Sequence, residues 1–129
     1  MLIDDYFQRF REVIESCPSV QSFNLTLDRK NDYQGFIRGE VNLKDGSILY
    51  CREFANVKIA IDRKMYSYQY MDALKNLIFR YDDVKHHKKL NLPNYPHHKH
   101  DGSEDNIISS NSPTLADILN EIERNGGLP

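Results

Sequence analysis

Histidine is concentrated in one short segment of this 129-residue chain. The five histidines are His86, His87, His97, His98 and His100. Four lysines and no acidic residue accompany them between Val84 and His100. Imidazoles exchange protons near neutral pH and bind transition metals, so this segment is where chemistry is expected.

A metal site is one interpretation of the segment. His97, His98 and His100, with the carboxylate of Asp101 or Asp82, supply enough ligands for one ion. Their spacing matches no recognised zinc pattern, and neighbouring residues of an extended chain point to opposite sides. Metal binding is therefore the less favoured interpretation, and the sequence predicts no cofactor.

Acid–base catalysis is the favoured interpretation. Cleavage of RNA through its own 2′-hydroxyl needs a proton acceptor, a proton donor and a cation for the phosphate. Histidine, with an ordinary pKa of about 6.5, supplies both proton states near neutrality. We therefore predict that the five histidines are catalytic in a metal-independent ribonuclease. The cations expected to hold the phosphate are Arg80, Lys88, Lys89 and Lys99. The alternative is a solvated surface loop without chemistry.

A tyrosine-rich strand offers a second surface for nucleic acid. Tyr66 and Tyr68 alternate in "KMYSYQYMD", and Lys64 and Arg80 are close enough in sequence to contact phosphates beside them. Tyrosine rings on one face of a strand stack on bases in RNA-binding sheets. The alternative is that the same rings pack in the core beneath a helix, which is common for tyrosines in strands.

Other functional classes have little support in the sequence. It contains no glycine-rich phosphate loop and no GxSxG motif, which argues against nucleotide hydrolysis and acyl transfer. No apolar run approaches the roughly 20 residues of a membrane span. Cys17 and Cys51 have no CxxC spacing and are expected to be free thiols in a cytoplasmic protein. The net charge of −2 hides the local basic segment.

The elements that position these residues follow from hydrophobic periodicity. Apolar residues three and four apart predict a helix over 2–16, with the chain turning at Pro18. Period-two patterns and an Asp-Gly turn predict a five-stranded antiparallel meander over 20–83. A histidine-rich loop is expected over 84–111, and a helix over 113–125 with Ser112 as its N-cap. The prediction is one α+β domain over 1–129.

Several of these motifs together resemble a known family. The "DDYF" helix, the "KDGS" hairpin, "YSYQYMD", "FRYDD" followed by "HH", and "PNYPHHKHDGSE" occur in the order found in the TumE toxins. "RYDD…HH" and "PHHKHDGSE" are the most specific of these, and the family commonly has histidine at the position of Gln69.

The resemblance implies a growth-inhibiting toxin encoded beside a neutralising antitoxin. The expected partner is therefore a cognate antitoxin, and the expected target is RNA or the translation machinery. A non-catalytic module that binds nucleic acid or a partner protein is the alternative. Apolar residues near Leu90, Leu92 and Tyr95 are candidates for the antitoxin contact or for a homodimer interface.

Overall fold

The computed structural model describes residues 1–85 and 90–125. The described residues form two helices, α1 and α2, and seven strands, β1 to β7. In chain order the elements are α1 (Ile3–Glu15), β1 (Val20–Arg29), β2 (Gln34–Leu43), β3 (Ile48–Asn56), β4 (Asp62–Met71), β5 (Leu77–Asp82), β6 (His98–Asp101), β7 (Ile107–Ser109) and α2 (Leu115–Asn125). Neither helix is long and apolar enough to cross a membrane.

The seven strands form one antiparallel meander in which each strand pairs with the next. The α+β class and the meander were predicted, but the prediction of five strands was wrong. Strands β6 and β7 lie within 84–111, which was expected to be a loop. They are four and three residues long, and β6 consists of His98, Lys99, His100 and Asp101. It therefore lacks the apolar alternation by which a strand is recognised.

Both helices pack on the same face of the sheet. Helix α1 buries the apolar stripe that its periodicity predicted, and it contacts β1, β2 and α2. Helix α2 begins at Leu115 rather than at Pro113, because Thr114 is its N-cap. The Thr114 hydroxyl accepts a hydrogen bond from the Asp117 amide at 3.3 Å, and the Asp117 carboxylate accepts one from the Thr114 amide at 2.9 Å. We call the opposite side of the sheet the open face.

The tyrosine stripe of β4 lies on the helix-covered face. Tyr66 and Tyr68 are 1% and 0% exposed, and their rings stack with centroids 5.5 Å apart. A nucleic-acid base therefore cannot reach these rings. They pack in the core, which was the alternative interpretation of the tyrosine stripe. Lys64, at the start of the same strand, is exposed and pairs with Asp62 at 2.6 Å.

A buried carboxyl group joins the helices to the sheet. Glu53 on β3 accepts hydrogen bonds from the hydroxyls of Tyr6 on α1 and Tyr68 on β4. Arg63 donates to the Tyr68 hydroxyl at 2.8 Å and to the carbonyl of Pro113, just before α2, at 2.6 Å. Burial raises the pKa of Glu53, although the two tyrosine hydroxyls and the Arg63 charge oppose that shift. The folded protein thus holds a proton on Glu53 more tightly than the unfolded chain does.

The raised pKa of Glu53 predicts a pH-dependent stability. Its contribution is full below the ordinary pKa of 4.5 and is lost as pH rises through the higher folded value. Glu53→Gln remains neutral, so the wild-type advantage over this variant should shrink as the pH rises above the ordinary pKa of 4.5. Urea unfolding of both proteins at several pH values measures this difference. A difference that does not change with pH would contradict the assignment.

The close approach of α1 to β2 predicts a steric effect at Gly35. A Cβ there would lie 2.6 Å from Phe7 Cζ and 3.0 Å from the carbonyl oxygen of Asp28. Gly35→Ala should lower the free energy of unfolding by about 1–3 kcal/mol. Gly39→Ala is the matched control, since its closest neighbour is the flexible Leu25 side-chain tip at 2.8 Å. Urea unfolding showing an equal loss in both variants would contradict this packing.

Candidate functional site

Strand alternation aligns polar side chains across the open face. Residues directly opposite one another in adjacent strands point to the same side of a sheet. The register places one such row across β2 to β6, and the row consists of Arg38, Arg52, Ser67, Asp82 and His98. A second row lies beside it and consists of Glu40, Tyr50, Gln69, Arg80 and His100. The two rows bring polar and charged residues from five strands onto one surface.

Asp82, His98 and His100 form a compact group that we call the His–Asp cluster. His98 Nε2 lies 2.9 Å from Asp82 Oδ1 and 3.2 Å from His100 Nε2. His100 Nε2 lies 3.9 Å from Asp82 Oδ2. The three residues are only 3–4% exposed, yet they line a cleft of about 390 Å³ on the open face. Among the described residues, the cluster therefore opens onto a cleft large enough for a small ligand.

Backbone carbonyls fix the orientation of both imidazoles. His98 Nδ1 is 2.8 Å from the carbonyl oxygen of Pro96, and His100 Nδ1 is 2.8 Å from that of Glu104. A carbonyl only accepts, so each Nδ1 carries the hydrogen and each Nε2 is turned toward Asp82. The Val84 amide donates to Asp82 Oδ1 at 3.0 Å. The cluster is thus preorganised by groups behind it.

Arg80 lies next to the cluster but is occupied by acidic partners. Its Nε donates to Asp82 Oδ2 at 3.1 Å, and its two terminal nitrogens bind Glu104 at 2.6 and 2.7 Å. Gln69 accepts from Arg80 Nη1 at 3.2 Å. Hydrogen bonds from Arg80 hold the pKa of Glu104 below its ordinary value. Arg80 can bind a phosphate only after Glu104, whose side chain is 60% exposed, has moved away.

His97 and Lys99 point away from the cluster. His97 Nδ1 lies 2.9 Å from the hydroxyl of Tyr66, and the two rings are stacked. Lys99 lies between His98 and His100 in β6, and its Nζ is 3.3 Å from Glu121 on α2. The predicted association of His97 and Lys99 with His98 and His100 is therefore not found. Lys99 alternates with the two histidines in β6, and His97 precedes that strand and stacks on Tyr66. The predicted residues His86, His87, Lys88 and Lys89 lie outside the described residues.

Two arginines on the open face were missed in the sequence. Arg38 and Arg52 are both exposed and directly opposite each other in β2 and β3. Arg52 and Met65 line both the cleft at the His–Asp cluster and a second cleft of about 320 Å³ that reaches Arg38. Like charges placed opposite each other destabilise a sheet, and an anion between the two guanidinium groups would relieve that repulsion. Only the strand register could have revealed it, since the residues are fourteen positions apart.

Comparison with known proteins gives a family match. The family model described as Toxin TumE matches residues 10–125. This range contains both rows of the open face, including the complete His–Asp cluster. No curated protein and no solved structure matches the chain.

The hydrogen bonds of Arg80 predict that substitutions of Glu104 and of Arg80 change protein stability by different amounts. Glu104→Gln should change the free energy of unfolding by less than about 1 kcal/mol, because the pair is exposed at the glutamate. Arg80→Gln should cost about 2 kcal/mol or more, because it removes the guanidinium from the buried Asp82 carboxylate. Urea unfolding of both variants at one pH measures the difference. Equal losses would show that Asp82 does not depend on Arg80.

Proposed function

The chain belongs to the TumE family of toxins, and we propose that it inhibits growth by cleaving RNA in the cytoplasm. It would be the toxin of a toxin–antitoxin pair, with a cognate antitoxin as its protein partner. The cleavage would be metal-independent and would occur at the His–Asp cluster. The family supports the role of toxin, and the reaction is inferred from the residues of the open face.

One observation carries the proposal: the histidine pair and Arg52 line the same cleft. An arginine guanidinium binds phosphate through two parallel hydrogen bonds, so Arg52 can hold an RNA phosphate beside the imidazoles. Arg38, directly opposite Arg52 in the sheet, can bind the next phosphate along the RNA. A negatively charged backbone would thus cross the open face with one linkage at the cluster.

The proposed reaction is transfer of the phosphate to the adjacent 2′-hydroxyl. One imidazole of the His98–His100 pair takes the hydroxyl proton as the 2′-oxygen attacks phosphorus. The bond to the 5′-oxygen breaks, and the other imidazole gives that oxygen a proton. The products are a 2′,3′-cyclic phosphate and a free 5′-hydroxyl, with no oxidant or second reactant required. Asp82, 2.9 Å from His98, would keep that imidazole oriented.

The proposal predicts cleavage of RNA by purified protein in EDTA. His98→Ala and His100→Ala should each lower the rate by about 100-fold or more, since each removes one proton carrier. His97→Ala is the matched control from the same segment and should retain the rate, because His97 faces Tyr66. Gel analysis of a labelled RNA measures the rate and identifies the cyclic phosphate end.

Growth arrest on induced expression provides the cellular readout for the same variants. Folding of each variant is checked by circular dichroism before comparison. Full toxicity and cleavage in both His98→Ala and His100→Ala would exclude the cluster as the catalytic centre. Absence of RNA cleavage by the wild type, with or without Mg²⁺, would exclude the ribonuclease itself.

The Arg38–Arg52 pair favours a second candidate function, a non-catalytic nucleic-acid-binding module. Under either function, Arg52→Gln should weaken RNA binding and reduce the slope of log affinity against log salt by about one. Lys44→Ala, an exposed change outside both clefts, is the charge-matched control. Binding measured by fluorescence anisotropy that survives His98→Ala, without any cleavage, would favour the binding module over the nuclease.

A further inference from the structure

We propose that the His–Asp cluster is a binding site for a divalent transition-metal ion such as Zn²⁺, with His98 Nε2, His100 Nε2 and an Asp82 oxygen as ligands. The inference goes beyond RNA cleavage and does not require it. The spacing of the histidines along the chain, in contrast, made metal binding the less favoured interpretation. The carboxylate comes from β5 and both imidazoles come from β6, so strand pairing selects Asp82, His98 and His100 from the larger set of candidate ligands in the sequence.

The separations of the donor atoms fit one ion. Ligands held about 2.0–2.2 Å from a common tetrahedral zinc ion lie about 3.3–3.6 Å from each other. The two Nε2 atoms are 3.2 Å apart and nearly match this spacing, whereas His98 Nε2 and Asp82 Oδ1, 2.9 Å apart, would have to separate by a few tenths of an ångström. His100 Nε2 is 3.9 Å from the other carboxylate oxygen, Oδ2, so the carboxylate would have to rotate for one ion to meet all three ligands. All three donors lie within 4.8 Å of one another.

The groups behind the ligands also fit a metal centre. A metal-binding histidine usually donates its other ring N–H to a carbonyl or carboxylate, which fixes the ring and its tautomer. Both histidines have this arrangement, with the carbonyls of Pro96 and Glu104 each 2.8 Å from Nδ1. Arg80 and the Val84 amide bind Asp82 in the same supporting way.

The donor set indicates the class of ion. Two imidazoles and one carboxylate suit Zn²⁺, Co²⁺, Fe²⁺ and Ni²⁺ better than Mg²⁺ or Ca²⁺, which prefer oxygen ligands. Within the described part of the chain, the cleft on the open face has the volume to hold water or substrate as a further ligand. The competing explanation for the cluster is a purely structural contact in which the three side chains share protons and join β5 to β6.

The inference has a consequence for the proposed nuclease. An ion on both Nε2 atoms occupies the positions that carry protons in the metal-free reaction. If the protein cleaves RNA in EDTA, saturating Zn²⁺ should therefore stop the reaction, and excess EDTA should restore it. Only this effect of Zn²⁺ on RNA cleavage rests on the proposed function.

Direct binding to the full-length chain, purified in chelator and then dialysed, tests the site. Titration with Co²⁺ should give a visible d–d absorption band that saturates at one ion per chain, and Zn²⁺ should displace it. Asp82→Asn and His98→Gln should each weaken binding by about tenfold or more. His97→Ala, which changes a histidine of the same segment, should bind as the wild type does. Thermal unfolding without metal checks that each variant is folded.

The possible outcomes separate the two proposals. No saturable Co²⁺ band, or equal affinity in Asp82→Asn, His98→Gln and the wild type, would overturn the metal site and leave the nuclease proposal intact. Saturable binding that is lost in both variants, with no RNA cleavage, would support the site and refute the nuclease. Cleavage abolished by EDTA and restored by Zn²⁺ would support the site and refute the metal-independent mechanism.

Discussion

The structure depends on one constraint: a strand sends alternate residues to opposite faces, and the two helices cover one face of this sheet. In β4 the constraint buries Tyr66 and Tyr68 under the helices and turns Ser67 and Gln69 to the open face. In β6 it directs Lys99 to Glu121 on α2 and both neighbouring histidines to the other side. The core and the candidate site therefore use opposite faces of the same strands. Only the backbone of the sheet separates the hydrophobic core from the candidate site.

The buried Glu53 illustrates what the helix-covered face requires. A carboxyl group in a core is costly unless its oxygens are hydrogen-bonded, and Tyr6 and Tyr68 meet that need from two different elements. Arg63 extends the network to the segment before α2. Ser112 and Pro113, which the sequence placed at the helix start, instead present their carbonyls to this arginine. The position of α2 is therefore set by a polar contact as well as by its apolar stripe.

Sequence periodicity predicted the elements with strong patterns and missed those without one. Helix α1 and strands β1 to β5 repeat apolar residues at the expected intervals, and these predictions are confirmed. Strand β6 escaped prediction because it has no apolar residue at all. For the site, composition alone drew attention to His98 and His100, and Asp82 was already a candidate partner. Register decides which residues meet, and it separated His97 and Lys99 from the cluster and added Arg38 and Arg52. Pairing across strands is a long-range property that local patterns do not contain.

The ion pair between Lys99 and Glu121 links strand β6 mechanically to helix α2. Lys99 is the residue between the two histidines, and its ammonium group lies over the rings of Phe79 and Tyr81 as well as beside α2. A displacement of α2 would pull on the backbone of a four-residue strand at its midpoint. The spacing of the two imidazoles would then change although nothing had touched the open face. Under the proposed function, a protein that bound the helices and displaced α2 would change the spacing of the two imidazoles without covering the cleft.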